Sequence, residues 1–123
     1  MKMFSIHVLR VVAALLAAGI VAALLILGAQ PFAVGLVPSP WDKLAHVVVF
    51  ASFSCMLAIV SGLRGWRMLS LAVCGAIVLG LIDEWHQTTV PGRNAGWDDL
   101  AADAAGGVVG AALLAMGRRF WSK

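Results

Sequence analysis

Apolar residues run from Val11 to Ala29 without a charged side chain, and mostly apolar runs return from about Leu44 to Gly62, from Met68 to Ile82 and from near Asp99 to about Gly117. At 1.5 Å per residue, a helix of about 20 residues crosses a hydrocarbon layer of about 30 Å. The pattern therefore predicts four transmembrane helices at about 9–29, 43–62, 68–87 and 99–117, within a single domain covering 1–123. The fold class this implies is all-α, an integral membrane four-helix bundle.

The connections carry their own signals. Pro31, Pro38 and Pro40 make Gln30–Trp41 an extended loop. Ser39-Pro40-Trp41-Asp42 reads as a helix start, with Ser39 as N-cap, Pro40 at the first helical position and Asp42 answering as in a capping box. Leu63 to Arg67 reads as a short basic turn, and Pro91-Gly92 forces a break after the third helix. In the fourth helix Gly106-x-x-x-Gly110 is a close-packing signature of membrane helices. Trp41, Trp66, Trp85, Trp97 and Trp121 all fall near expected helix ends, where an interfacial aromatic belt places them.

Composition removes the alternatives. With 62% hydrophobic and 12% charged residues, the chain lacks the polar side-chain area to cover a water-soluble globule. A net charge of +3 does not indicate a nucleic-acid partner, because the basic residues sit at the ends of the apolar runs and read as topology signals. With the N-terminus in the cytoplasm, Lys2, Arg10, Arg64, Arg67, Arg118, Arg119 and Lys123 share one side and Lys43 and Arg93 the other. The positive-inside rule then gives four spans with both termini cytoplasmic. Cys55 and Cys74 lie in apolar runs without metal or redox spacing and read as buried free thiols.

That orientation brings the polar residues together on the outer face. Five of the six acidic residues fall between Gly80 and Gly110, and the sixth, Asp42, opens the second helix. Helical phase puts Asp99, Asp103, Gly106 and Gly110 within about 60° of one another, so the acidic face of the fourth helix is also its packing face and Asp103 belongs in the bundle interior. The third helix is expected to present Gly80, Glu84 and Gln87 together, with His86 nearly opposite and Asp83 to the side. Asp42 and His46 share a face of the second. Six acids then meet two fixed cations, Lys43 and Arg93, which favours a bound cation, a protonated carboxylate or water at the site.

Three blocks in these helices, Asp42-Lys43-x-x-His46-x-x-x-Phe50, Glu84-x-x-Gln87-x-x-x-Pro91-Gly92-Arg93 and Asp99-x-x-x-Asp103-x-x-Gly106-x-x-x-Gly110, resemble in order the motifs of the VanZ-like family of small bacterial membrane proteins. The resemblance spans about residues 42–110 and leaves out the first helix. It implies a role at the cell envelope and a link to resistance against the glycopeptide teicoplanin without remodelling of the peptidoglycan precursor. It also implies an Asn where this chain has Asp103.

Two functions follow as expectations. In the first, Arg93, Lys43 and His46 hold a lipid head group, a lipid-linked envelope precursor or a lipoglycopeptide at the outer face, with Asp42, Glu84, Gln87, Asp99 and Asp103 completing the ligand-binding set. The alternative is a membrane-embedded enzyme acting on a lipid-linked substrate, with His46 and Glu84 as acid and base and Asp99 and Asp103 holding a divalent metal. No nucleophile motif of Ser or Cys accompanies them. Membrane lipids are the expected partners; the sequence names no cofactor and no oligomeric state.

Overall fold

The computed structural model describes residues 2–121, without the side chains of Lys2 and Trp121. Lys123, counted in the charge balance, lies outside the described residues, as do the Lys2 and Trp121 side chains. Among the described residues the chain is helical throughout its regular structure, with α1 at Lys2–Ala22, α2 at Trp41–Ser61, α3 at Gly65–Gln87 and α4 at Trp97–Trp121. All four are long and apolar enough to cross a membrane.

Several boundaries differ from expectation for local reasons. α1 begins at Lys2, since nothing between Met3 and Arg10 breaks a helix, and it runs on through a π-helical turn at Ala23–Leu27. The Gln30–Trp41 connection is not extended: Pro31–Ala33 forms a 3₁₀ turn, stabilised by Ala33 N–H to the Gln30 carbonyl and Val34 N–H to the Pro31 carbonyl. The capping box is also absent. Pro40 occupies the N-cap of α2 with no side-chain cap bond, and Asp42 turns to Lys43 instead. Gly62 closes α2 with φ of +67°, a left-handed conformation that costs glycine little, and the Arg10 guanidinium lies over it where a Cβ would stand.

α4 is wedged between α2 and α3, and small residues make this possible. Gly106 and Gly110 lie against the α2 backbone at Val47 and Ala51, while Gly107 lies against Ala76 and Val73 of α3. Phe50, Ala58, Ala72, Ala76 and Ala111 are completely or almost completely buried in the resulting core. Ser54, fully buried on α2, donates to the Gly107 carbonyl at 3.0 Å and ties the two backbones together. α1 packs on α2 and is mostly exposed, with Ala13 its buried residue among those described. Its outward Leu, Val and Ile side chains suit a hydrocarbon solvent.

The exposure of other groups follows the same logic. Trp41, Trp66, Trp85 and Trp97 are all exposed near helix ends. The cysteines depart from expectation: both are free, but Cys74 is exposed and Cys55 half-buried, because the apolar runs that hold them face outward as well as inward.

Candidate functional site

The start of α2, the end of α3 and the start of α4 converge at one end of the bundle. α2 supplies Asp42, Lys43 and His46, α3 supplies Asp83, Glu84 and Gln87, and α4 supplies Asp98, Asp99 and Asp103. Acids in the first turns of α2 and α4 also sit favourably against the positive ends of those helices.

The six acids divide into two groups of three. Lys43 Nζ gathers the first: Asp42 Oδ2 at 2.8 Å, Asp98 Oδ2 at 3.3 Å and Asp99 Oδ1 at 2.5 Å. This ties α2 to α4 and commits the Lys43 charge within the protein. Asp83, Glu84 and Asp103 form the second group, around His46. His46 Nδ1 is 2.6 Å from Asp103 Oδ1, and its ring stacks on Phe50 with centroids 6.1 Å apart. Gln87 Nε2 donates to Asp83 Oδ2 at 3.1 Å, and the Gly96 N–H donates to Glu84 Oε2 at 2.8 Å. One ligand-capable atom from each of His46, Asp83, Glu84 and Asp103 lies within 4.8 Å of the others.

This second group is buried and incompletely satisfied. Asp103 is 0% exposed, Asp83 2% and Glu84 9%. Asp103 Oδ2 and Glu84 Oε1 are buried without a hydrogen-bond partner among the described residues. Neither Asp83 nor Glu84 forms an ion pair with a described Lys or Arg. Leaving such oxygens unpaired is costly, so the arrangement invites a cation or a proton.

Arg93 lies beside both groups without an ion pair to either. It follows Pro91-Gly92 and donates from one guanidinium nitrogen to the Ala33 carbonyl at 3.3 Å, while its Nε has no partner among the described residues. Two cavities meet there, sharing Ala33, Leu36, Ala45, His46, Gln87 and Arg93 as walls. One, of about 440 Å³, is lined by Ile20, Leu24, Leu27, Phe32 and Val49; the other, of about 400 Å³, by Ser39, Asp42, Asn94 and Asp99. An apolar compartment thus opens beside a polar one.

The structure brings the expected residues to one end but redistributes them. His46, Glu84 and Asp103 join the buried group, with Gln87 on its edge through Asp83. Asp99, expected beside Asp103 as a metal ligand, belongs to Lys43. Asp83 is the member that helical phase set aside. It converges because α3 ends between two neighbours: Asp83 turns toward His46 and Glu84 toward the loop before α4. Its spacing from Gln87, four residues on, was the available signal, since such pairs bond along a helix. The apolar wall from the end of α1 had no motif to announce it.

Four helices long and apolar enough to cross a membrane, gathered around buried carboxylates at one end, fit a multi-pass helical membrane protein. The chain belongs to the VanZ/LLP1 family, whose model matches residues 3–118. The match takes in the first helix, which the three motif blocks had left out. No curated protein and no solved structure matches the chain.

Proposed function

We propose that the protein binds an amphiphile with a phosphate head group, its hydrocarbon in the apolar cavity and its phosphate at Arg93. The observation that carries this reading is the meeting of the two cavities at a guanidinium whose Nε is uncommitted. Arg93 offers a planar fork of donors to phosphate oxygens, and together the two compartments match the division of a lipid into tail and head. Lys43 and His46, expected to share the phosphate, are already engaged by Asp99 and Asp103, so Arg93 takes the larger part. A lipoglycopeptide reaches the same cleft through its acyl chain, which is the form a link to glycopeptide resistance would take.

Native mass spectrometry of detergent-extracted protein tests this. Arg93→Ala is expected to reduce retention of a phosphate-bearing lipid about tenfold, the scale of one or two charge-assisted hydrogen bonds, while Glu84→Gln retains it. Equal retention in both variants would sink the assignment. Adding a lipoglycopeptide to the wild-type sample is expected to displace the lipid.

The reading places this end of the bundle at the outer face of the inner membrane, with both termini cytoplasmic, supported by the seven-to-two distribution of Lys and Arg. In a background with Cys55 and Cys74 replaced by alanine, Thr89→Cys is expected to react with a membrane-impermeant maleimide in intact cells. Leu63→Cys should react only after permeabilisation. The opposite pattern would put the site on the cytoplasmic side.

A further inference from the structure

We infer that His46, Asp83, Glu84 and Asp103 form a binding site for one first-row divalent cation of the Mn²⁺ or Zn²⁺ type. The inference does not rest on the lipid reading: His46 and Asp83 also border the apolar cavity beside Arg93, but the ion needs neither Arg93 nor a lipid. It begins from charge. Lys43 is the ion-pair partner of Asp42, Asp98 and Asp99 and has no charge to spare, which leaves three further carboxylates beside one histidine, and no described Lys or Arg pairs with Asp83 or Glu84. Three buried acids without a fixed cation are unfavourable in a low-dielectric interior, and a divalent ion removes most of that imbalance.

Geometry supplies the second step. One ligand-capable atom from each of the four residues lies within 4.8 Å of the others, and they come from three helices, so a shared ion would tie α2, α3 and α4 together. Two oxygens in the group, Asp103 Oδ2 and Glu84 Oε1, are buried and lack partners among the described residues, on side chains at least nine-tenths buried. Both oxygens have lone pairs free for a cation. Gln87 on Asp83 and the Gly96 N–H on Glu84 orient those carboxylates from behind, as outer partners do around metal ligands.

The donor set indicates which ions fit. One imidazole with three carboxylates suits Mn²⁺, Fe²⁺ or Zn²⁺ better than Mg²⁺ or Ca²⁺, which favour shells of oxygen and water.

The test uses the full chain in detergent, stripped with EDTA and dialysed, with Mn²⁺ alone as the probe and free Mn²⁺ counted by electron paramagnetic resonance. The expected result is one Mn²⁺ per wild-type chain, displaced by Zn²⁺ but not by equimolar Mg²⁺. Asp83→Asn and Glu84→Gln should each weaken binding at least about tenfold. Asp98→Asn, on the Lys43 group, should leave it unchanged. Absence of stoichiometric binding to the wild type overturns the site, as do wild-type affinities in both ligand variants or an equal loss in Asp98→Asn. Circular dichroism checks that each variant is folded. Should the ligand variants unfold, the wild type decides: a saturable rise in melting temperature with Mn²⁺ and none with Mg²⁺ supports the site, and identical responses reject it.

Discussion

Gly106→Ala is expected to lower the stability of the bundle by about 2 kcal/mol, although alanine is the better helix former. The added Cβ would stand 2.6 Å from the Val47 carbonyl oxygen, 2.9 Å from Phe50 Cβ and 3.0 Å from the Ala51 nitrogen. These neighbours are backbone or the first side-chain atom, so none can rotate away, and α4 must move off α2. Overpacking of this kind costs about 1–3 kcal/mol. The contacts here argue for the upper end, against a helix-propensity gain of about 1 kcal/mol. Gly117→Ala supplies the comparison: nothing lies within 4 Å of its added Cβ, so it should be neutral or slightly stabilising. Unfolding in mixed detergent micelles, followed by circular dichroism, measures both. A Gly106→Ala protein as stable as Gly117→Ala would show that the close α2–α4 approach is not needed. Displacement of α4 should also impair the polar site, because Asp103 rides on that helix and His46 on its neighbour.

Asp103→Ala is expected to destabilise the metal-free protein by about 3 kcal/mol, and Asp103→Asn by less than about 1 kcal/mol. The carboxylate is fully buried and bonded to His46 at 2.6 Å. Removing one partner from a buried pair costs about 3–5 kcal/mol. The low end applies because the substitution also relieves repulsion from Asp83 and Glu84. Asparagine keeps an acceptor oxygen in nearly the same place while giving the same relief, and it is the residue the family resemblance implies there. Unfolding of both variants in the presence of EDTA decides between shape and charge. If asparagine proves as damaging as alanine, the charge on Asp103 matters more than the hydrogen bond.

These predictions rest on features of unequal visibility in the sequence. The Gly106–Gly110 face and the burial of Asp103 followed from helical phase, because small residues and an acid recurring on one face of an apolar helix have few places to go. The grouping of acids around Lys43 and His46 was not legible. Lys43 and Asp99 are 56 residues apart, and His46 and Asp103 57. Either acid, read from phase alone, was an equal candidate for a metal or for a cation. The N-terminus of α2 misled for a similar reason: Ser39 and Asp42 have the spacing of a cap, yet Lys43 offers Asp42 a charged partner that the backbone cannot match.

The sequence by itself determined that four apolar helices form, that their polar residues collect at common ends and that α4 packs through glycine. Those features depend on hydrophobicity, length and helical period, all of which are local. Only the tertiary structure decided that Asp83 joins His46, that Asp99 goes to Lys43 and that the end of α1 walls a cavity beside Arg93. Those outcomes depend on how far each helix is rotated and shifted against its neighbours. Close packing sets that rotation through contacts between residues far apart in the chain, which no single helix's pattern contains.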